Sequence, residues 1–137
     1  MILHCSFEEL AALDAVVERV RGSFGKGGVA APPEALHDID ALAPRLIGDL
    51  SLETLDDQES VERAVEFLLT DARDRTDAII LDQHPGAEDA VLAYFEYAHL
   101  LTVLDRVQQI GHEMRAIIDL MTGSRQTSDA GGYRFED

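Results

Sequence analysis

Residues 57–122, DQESVERAVEFLLTDARDRTDAIILDQHPGAEDAVLAYFEYAHLLTVLDRVQQIGHEMRAIIDLMT, decide the fold of this chain. At about 100° per residue, Val61, Val65, Leu68, Ala72 and Ile79 fall on one stripe of a first helix. Leu92, Leu100, Val103, Leu104, Val107, Ile110, Met114, Ile117, Ile118 and Met121 stripe a second. Between the two stand Gln83-His84-Pro85-Gly86, a run suited to a tight turn, so the helices are expected to fold back and pack antiparallel. Partners across such a hairpin have residue numbers summing to about 171, which sets Ile79 against Leu92, Leu68 against Val103 and Val61 against Ile110. The same register places Arg75 opposite Glu96.

Outward from this hairpin the signals are shorter. Ser6 and Glu9 form an S-x-x-E capping box, and Leu10, Leu13, Val16, Val17 and Val20 follow at helical spacing, which predicts a helix over residues 7–21 ended by Gly22. The apolar run before it, residues 2–5, suits an extended strand. Ser23-Phe24-Gly25-Lys26-Gly27-Gly28 reads as a flexible connection. It is not a phosphate loop, because Lys26 precedes the last glycines and the run follows a helix instead of opening one. Pro32-Pro33 restart the chain, and Ala35, Leu36, Ile39, Leu42 and Ala43 face one way until Pro44 interrupts them. Residues 50–55 alternate like a half-buried strand, and Asp56 or Asp57 is placed to cap the next helix.

Gly123 is expected to close the last helix, leaving residues 124–137 as a flexible tail. Within that tail Tyr133 and Phe135, two residues apart, are candidate partner-binding side chains. The fold class is therefore mainly α: one four-helix domain over residues 1–123, built on a long antiparallel C-terminal hairpin, with at most one or two short strands.

Composition narrows the functions. The 137 residues, 46% of them hydrophobic, suit one compact core. No apolar run approaches a bilayer span and no signal-peptide pattern opens the chain, so a cytoplasmic protein is expected. Cys5 is the single cysteine and sits in an apolar run, which points to a packed side chain, not a reactive thiol. With 27 acidic against 11 basic residues and a formal charge of −16, no basic cluster exists to bind a phosphate backbone. The acids are spread along every segment and not gathered into one run, which suits a halophilic surface or a GC-rich coding bias better than a face that docks a basic partner.

Few residues offer chemistry. Glu96 and His99 form an E-x-x-H pair, the spacing that aims carboxylate and imidazole inward in metal-binding bundles, where iron or manganese is held. Glu96 lies within the apolar stripe of its helix, so its carboxylate needs a partner. Arg75, opposite in the register, supplies one without a metal, and a structural ion pair Arg75–Glu96 is the preferred reading. A second E-x-x-H, Glu34 and His37, points to solvent. His37-Asp38 with Asp40 is a fragment of a metal-binding pattern that His4 and Asp105 would have to complete. Glu59 with Arg63 and Asp71 with Arg75 are spaced as surface i, i+4 ion pairs. His84 and His112 lack an evident partner, and no nucleophile motif is present.

The reading that follows is a non-catalytic protein-interaction module, an adaptor or regulatory subunit acting through helical faces. A metal-binding bundle at Glu96 and His99 and an acidic nucleic-acid mimic are the alternatives. The second hairpin helix outruns the first, so the segment bearing Met114, Ile117, Ile118 and Met121 needs cover from the first two helices or from a second copy. A homodimer is expected on that ground.

Overall fold

The computed structural model describes residues 1–24, 33–81 and 87–129. In chain order these form β1 (Ile2–Leu3), α1 (Phe7–Phe24), α2 (Pro33–Leu42), a 3₁₀ turn (Ala43–Arg45), β2 (Leu50–Ser51), α3 (Leu55–Leu81) and α4 (Ala87–Asp129). The fold is mainly helical, and α3 and α4 make its most extensive packing contact. The expected turn, with His84, lies outside the described residues, as do Lys26, Tyr133 and Phe135.

The first elements are set by local chemistry. The Ser6 hydroxyl accepts from the Glu9 amide at 3.1 Å while the Glu9 carboxylate accepts from the Ser6 amide at 2.8 Å, a complete capping box. β1 pairs antiparallel with β2, Ile2 opposite Ser51 and Leu3 opposite Leu50. The ladder extends one residue further, since the Leu52 amide donates to the Met1 carbonyl at 2.7 Å and the Met1 ammonium donates to the Leu52 carbonyl at 3.0 Å. Alternation then puts Leu3, Leu50 and Leu52 into the core, all nearly inaccessible to water.

Three helix ends differ from expectation. α1 runs two residues past Gly22, and α4 runs through Gly123 to Asp129. A lone glycine weakens a helix by about 1 kcal/mol but removes no hydrogen bond, and no proline follows to stop the chain. At the start of α3 the cap is Thr54, whose hydroxyl accepts from the Asp57 amide at 3.1 Å. Asp57 itself receives both guanidinium nitrogens of Arg45, at 2.8 and 3.1 Å, tying the 3₁₀ turn to α3.

The core is a single cluster in which α1 supplies Leu13, Val16 and Val17, α2 Ile39, α3 Val65 and Leu68, and α4 Leu100, Val103 and Val107. Across the hairpin, Thr76 donates to the Ala93 carbonyl at 3.3 Å, and Gln58 faces Gly111 and donates to the Val107 carbonyl at 2.9 Å. Thr76–Ala93 and Gln58–Gly111 each fall two positions short of the expected register, about half a helical turn. The small residues explain the offset. Ala93 and Gly111 allow polar side chains of α3 to reach the backbone of α4, and that close approach outranks the pairing of large apolar residues.

Candidate interaction surface

At about 1.5 Å per residue, the 43 residues of α4 span about 65 Å and the 27 of α3 about 40 Å. α4 therefore projects beyond its partner. Among the described side chains of α4, Met114 is the last one buried in the core, at 9% exposure. Beyond it Ile117, Ile118, Leu120 and Met121 are all exposed, so neither α1 nor α2 covers the segment.

A second uncovered surface lies at the other end of α4. Val91, Tyr94, Phe95, Ala98 and Leu101 recur at i, i+3, i+4, i+7 and i+10, a helical stripe of its own. It runs on the side opposite Ala93, Leu100, Val103 and Val107, which pack inward. Val91, Tyr94, Phe95 and Leu101 remain 50, 58, 53 and 47% exposed. Tyr94 and Phe95 form an edge-to-face pair with ring centroids 6.0 Å apart. The N-terminal half of α4 is thus apolar on both faces, the pattern of a helix packed on two sides, although among the described residues only one side is occupied. At the end of α3, Ile80 and Leu81 add further exposed apolar surface.

The polar residues singled out from sequence are engaged differently than expected. Glu96 meets Arg19 of α1, not Arg75: the guanidinium donates to Glu96 Oε1 at 2.9 Å and to Asp71 Oδ2 at 3.0 Å through Nε. Arg75 is exposed and lines a shallow groove with Ala78, Ile79 and Leu81. Arg19 holds two carboxylates from two helices at once, which draws Asp71 away from its i, i+4 neighbour Arg75. Burial alone would make the guanidinium easier to deprotonate, but Glu96 and Asp71 override it and hold Arg19 firmly charged. Likewise Arg63 donates to Asp38 of α2 at 2.8 Å, and Glu59 receives Arg115 of α4 at 3.3 Å. Both intrahelical pairs expected at i, i+4 are exchanged for contacts between elements.

At Glu9 and Asp38, burial and a cross-element pair act in opposite directions. Glu9, buried at 7% exposure, pairs with Arg106 of α4. Burial pushes its carboxyl up, but the Arg106 guanidinium and the Ser6 cap outweigh this and hold it below its ordinary value. Asp38 behaves alike: desolvation opposes ionisation, while hydrogen bonds from Arg63 and from the Ser60 hydroxyl at 2.9 Å lower its titration. The half-buried Cys5 thiol is pushed up to about 11, chiefly by burial, which makes it a poor nucleophile at neutral pH.

For metal binding, the sequence pair Glu96 and His99 would need at least one more ligand and a free Glu96. His99 is half-buried, Glu96 is clasped by Arg19, and among the described residues no group of three or more His, Cys, Asp or Glu is placed to hold an ion. Glu34 and His37 are exposed, as expected, and line a cleft with Asp38 and Arg63, whose charges already satisfy each other. Iron or manganese finds no built site at either pair. Among the described residues, no helix is long and apolar enough to cross a membrane.

The features missed from sequence, the Arg19 clasp and the outward stripe of α4, had one legible sign each. Arg19 sits beside Val16 and Val20 at the edge of its helix's apolar stripe. Residues 90–104 carry a single charged side chain, Glu96, in a chain that is 28% charged overall. Compared with known proteins, the chain matches no family model, no curated protein and no solved structure.

Proposed function

We propose that this chain is a protein-interaction module, an adaptor or regulatory subunit that works through its helical faces and self-associates as a homodimer. One observation carries the reading: α4 exposes large apolar side chains in two places that no other described element covers, around Tyr94 and Phe95 and around Ile117 and Met121. Contiguous apolar surface of this kind on a small domain marks a place where another macromolecule binds. The polar side chains support the same reading, because Arg19, Arg106 and Arg63 are committed to ion pairs that lock the helices together. They make a rigid scaffold on which the uncovered faces are presented in fixed positions.

Light scattering on the purified protein tests the self-association. At high micromolar concentration the expected mass is about twice the 15.0 kDa of one chain. A single-chain mass maintained up to high micromolar concentration contradicts the homodimer.

A further inference from the structure

Resting on the reading of the chain as a self-associating module, we infer that the interface between copies is the outward stripe of α4, Val91, Tyr94, Phe95, Ala98 and Leu101, packed on the same stripe of a second copy about a two-fold axis. The C-terminal overhang around Ile118 is not that interface.

Charge selects the face. Two copies that each carry a formal charge of −16 repel wherever acids meet acids. An isologous contact sets a patch against itself, so it is tolerable only where the patch is free of net charge. Residues 90–104 meet that condition, since their one charged side chain, Glu96, turns inward onto Arg19. On the stripe's own side of α4 the exposed acids are Glu88 and Asp105, each about 9 Å or more along the helix from Tyr94 and Phe95, so the centre of the stripe stays clear of charge. The overhang instead has the exposed acid Glu113 only one helical turn before Ile117 and on the same side, so a symmetric contact there brings acids together.

Area agrees with a copy as occupant. Half of each large side chain of the stripe amounts to roughly 450 Å² of apolar surface per copy, given about 150–250 Å² for a whole aromatic residue. A standard interface buries about 800 Å² per partner, of which roughly 60% is apolar, so the stripe supplies the apolar centre of one such face. Tyr94 and Phe95, already stacked edge to face, lie within it and are of the residue type that dominates interface energetics. A basic partner would be drawn to the acids elsewhere on the surface and not to the stretch that lacks them.

The test compares three proteins by sedimentation equilibrium: the wild type, Tyr94→Glu/Phe95→Glu and Ile118→Glu/Met121→Glu. Glutamate is a good helix former and all four positions are exposed, so far-ultraviolet circular dichroism should be unchanged in both variants. The expected result is a wild-type dimer, at least about a hundredfold weaker association in the stripe variant as two hot-spot side chains are lost, and a dimer retained in the overhang variant. A dimer that survives Tyr94→Glu/Phe95→Glu, or that the overhang variant breaks equally, overturns the assignment to the stripe and leaves self-association standing. A wild type that is monomeric throughout overturns the homodimer itself.

Discussion

Glu9 shows how much a single side chain carries in this molecule. It closes the capping box of α1 and at the same time neutralises Arg106 of α4, linking the first helix to the last. Glu9→Gln keeps the cap, because glutamine serves in a capping box, and removes only the charge facing Arg106. At neutral pH this substitution should cost about 1–2 kcal/mol, the lower part of the range for charged hydrogen bonds, since Arg106 is 37% exposed to screening water. The folded carboxyl titrates below its ordinary 4.5, so its stabilisation is fully present above that pH and disappears as pH falls through the lower folded value. Urea unfolding measured from neutral to strongly acidic pH should show wild type and variant separated above 4.5 and converging below it. A gap that does not change with pH would mean that the charge is not what Glu9 contributes. The cap was legible from Ser6 and Glu9 alone, but the partner was not, because nothing in a local pattern specifies which residue a distant helix will bring.

The same division holds for the helices. The α3–α4 hairpin was readable because both stripes repeat over many turns, and its register was wrong by only two positions because the sequence reading weighted large apolar residues. Packing instead follows the small ones. A Cβ added at Gly111 would lie 2.5 Å from Gln58 Nε2, inside any tolerable contact, and Gln58 is fully buried with its amide bound to the Val107 carbonyl. Gly111→Ala must displace that amide, and losing a buried hydrogen bond costs about 1–3 kcal/mol, more than the roughly 1 kcal/mol that alanine gains over glycine in a helix. In a Gln58→Ala background the clash is gone and the same substitution should stabilise by about 1 kcal/mol. Chemical denaturation of the four proteins of this cycle checks the sign reversal; a Gly111→Ala effect identical in both backgrounds would show that the two residues do not meet. The Arg19 clasp escaped the sequence reading for a related reason. Spacing along α3 offered Arg75 to Asp71 and the hairpin register offered it to Glu96, whereas tertiary packing delivers one guanidinium from α1 to both.

At the scale of the whole molecule, the layers are unequal. α1 and α2 pack on α3, and α1 also packs on α4, but the outward side of α4 has no element of this chain upon it among the described residues. The sequence signalled the apolar character of residues 90–104 without showing that it divides between two faces, since the stripe through Leu100, Val103 and Leu104 accounts for one face and the apolar residues opposite it give no sign of what covers them. That division is what turns a structural hairpin into a candidate interaction module. Methyl NMR of the isolated protein, recorded from low to high micromolar concentration, tests the claim most directly. The Val91 and Leu101 methyl signals should shift progressively with concentration, while those of Leu3, Leu52 and Ile118 stay fixed. Signals that do not move at any concentration, or that move only at Ile117, Ile118 and Met121, would contradict it.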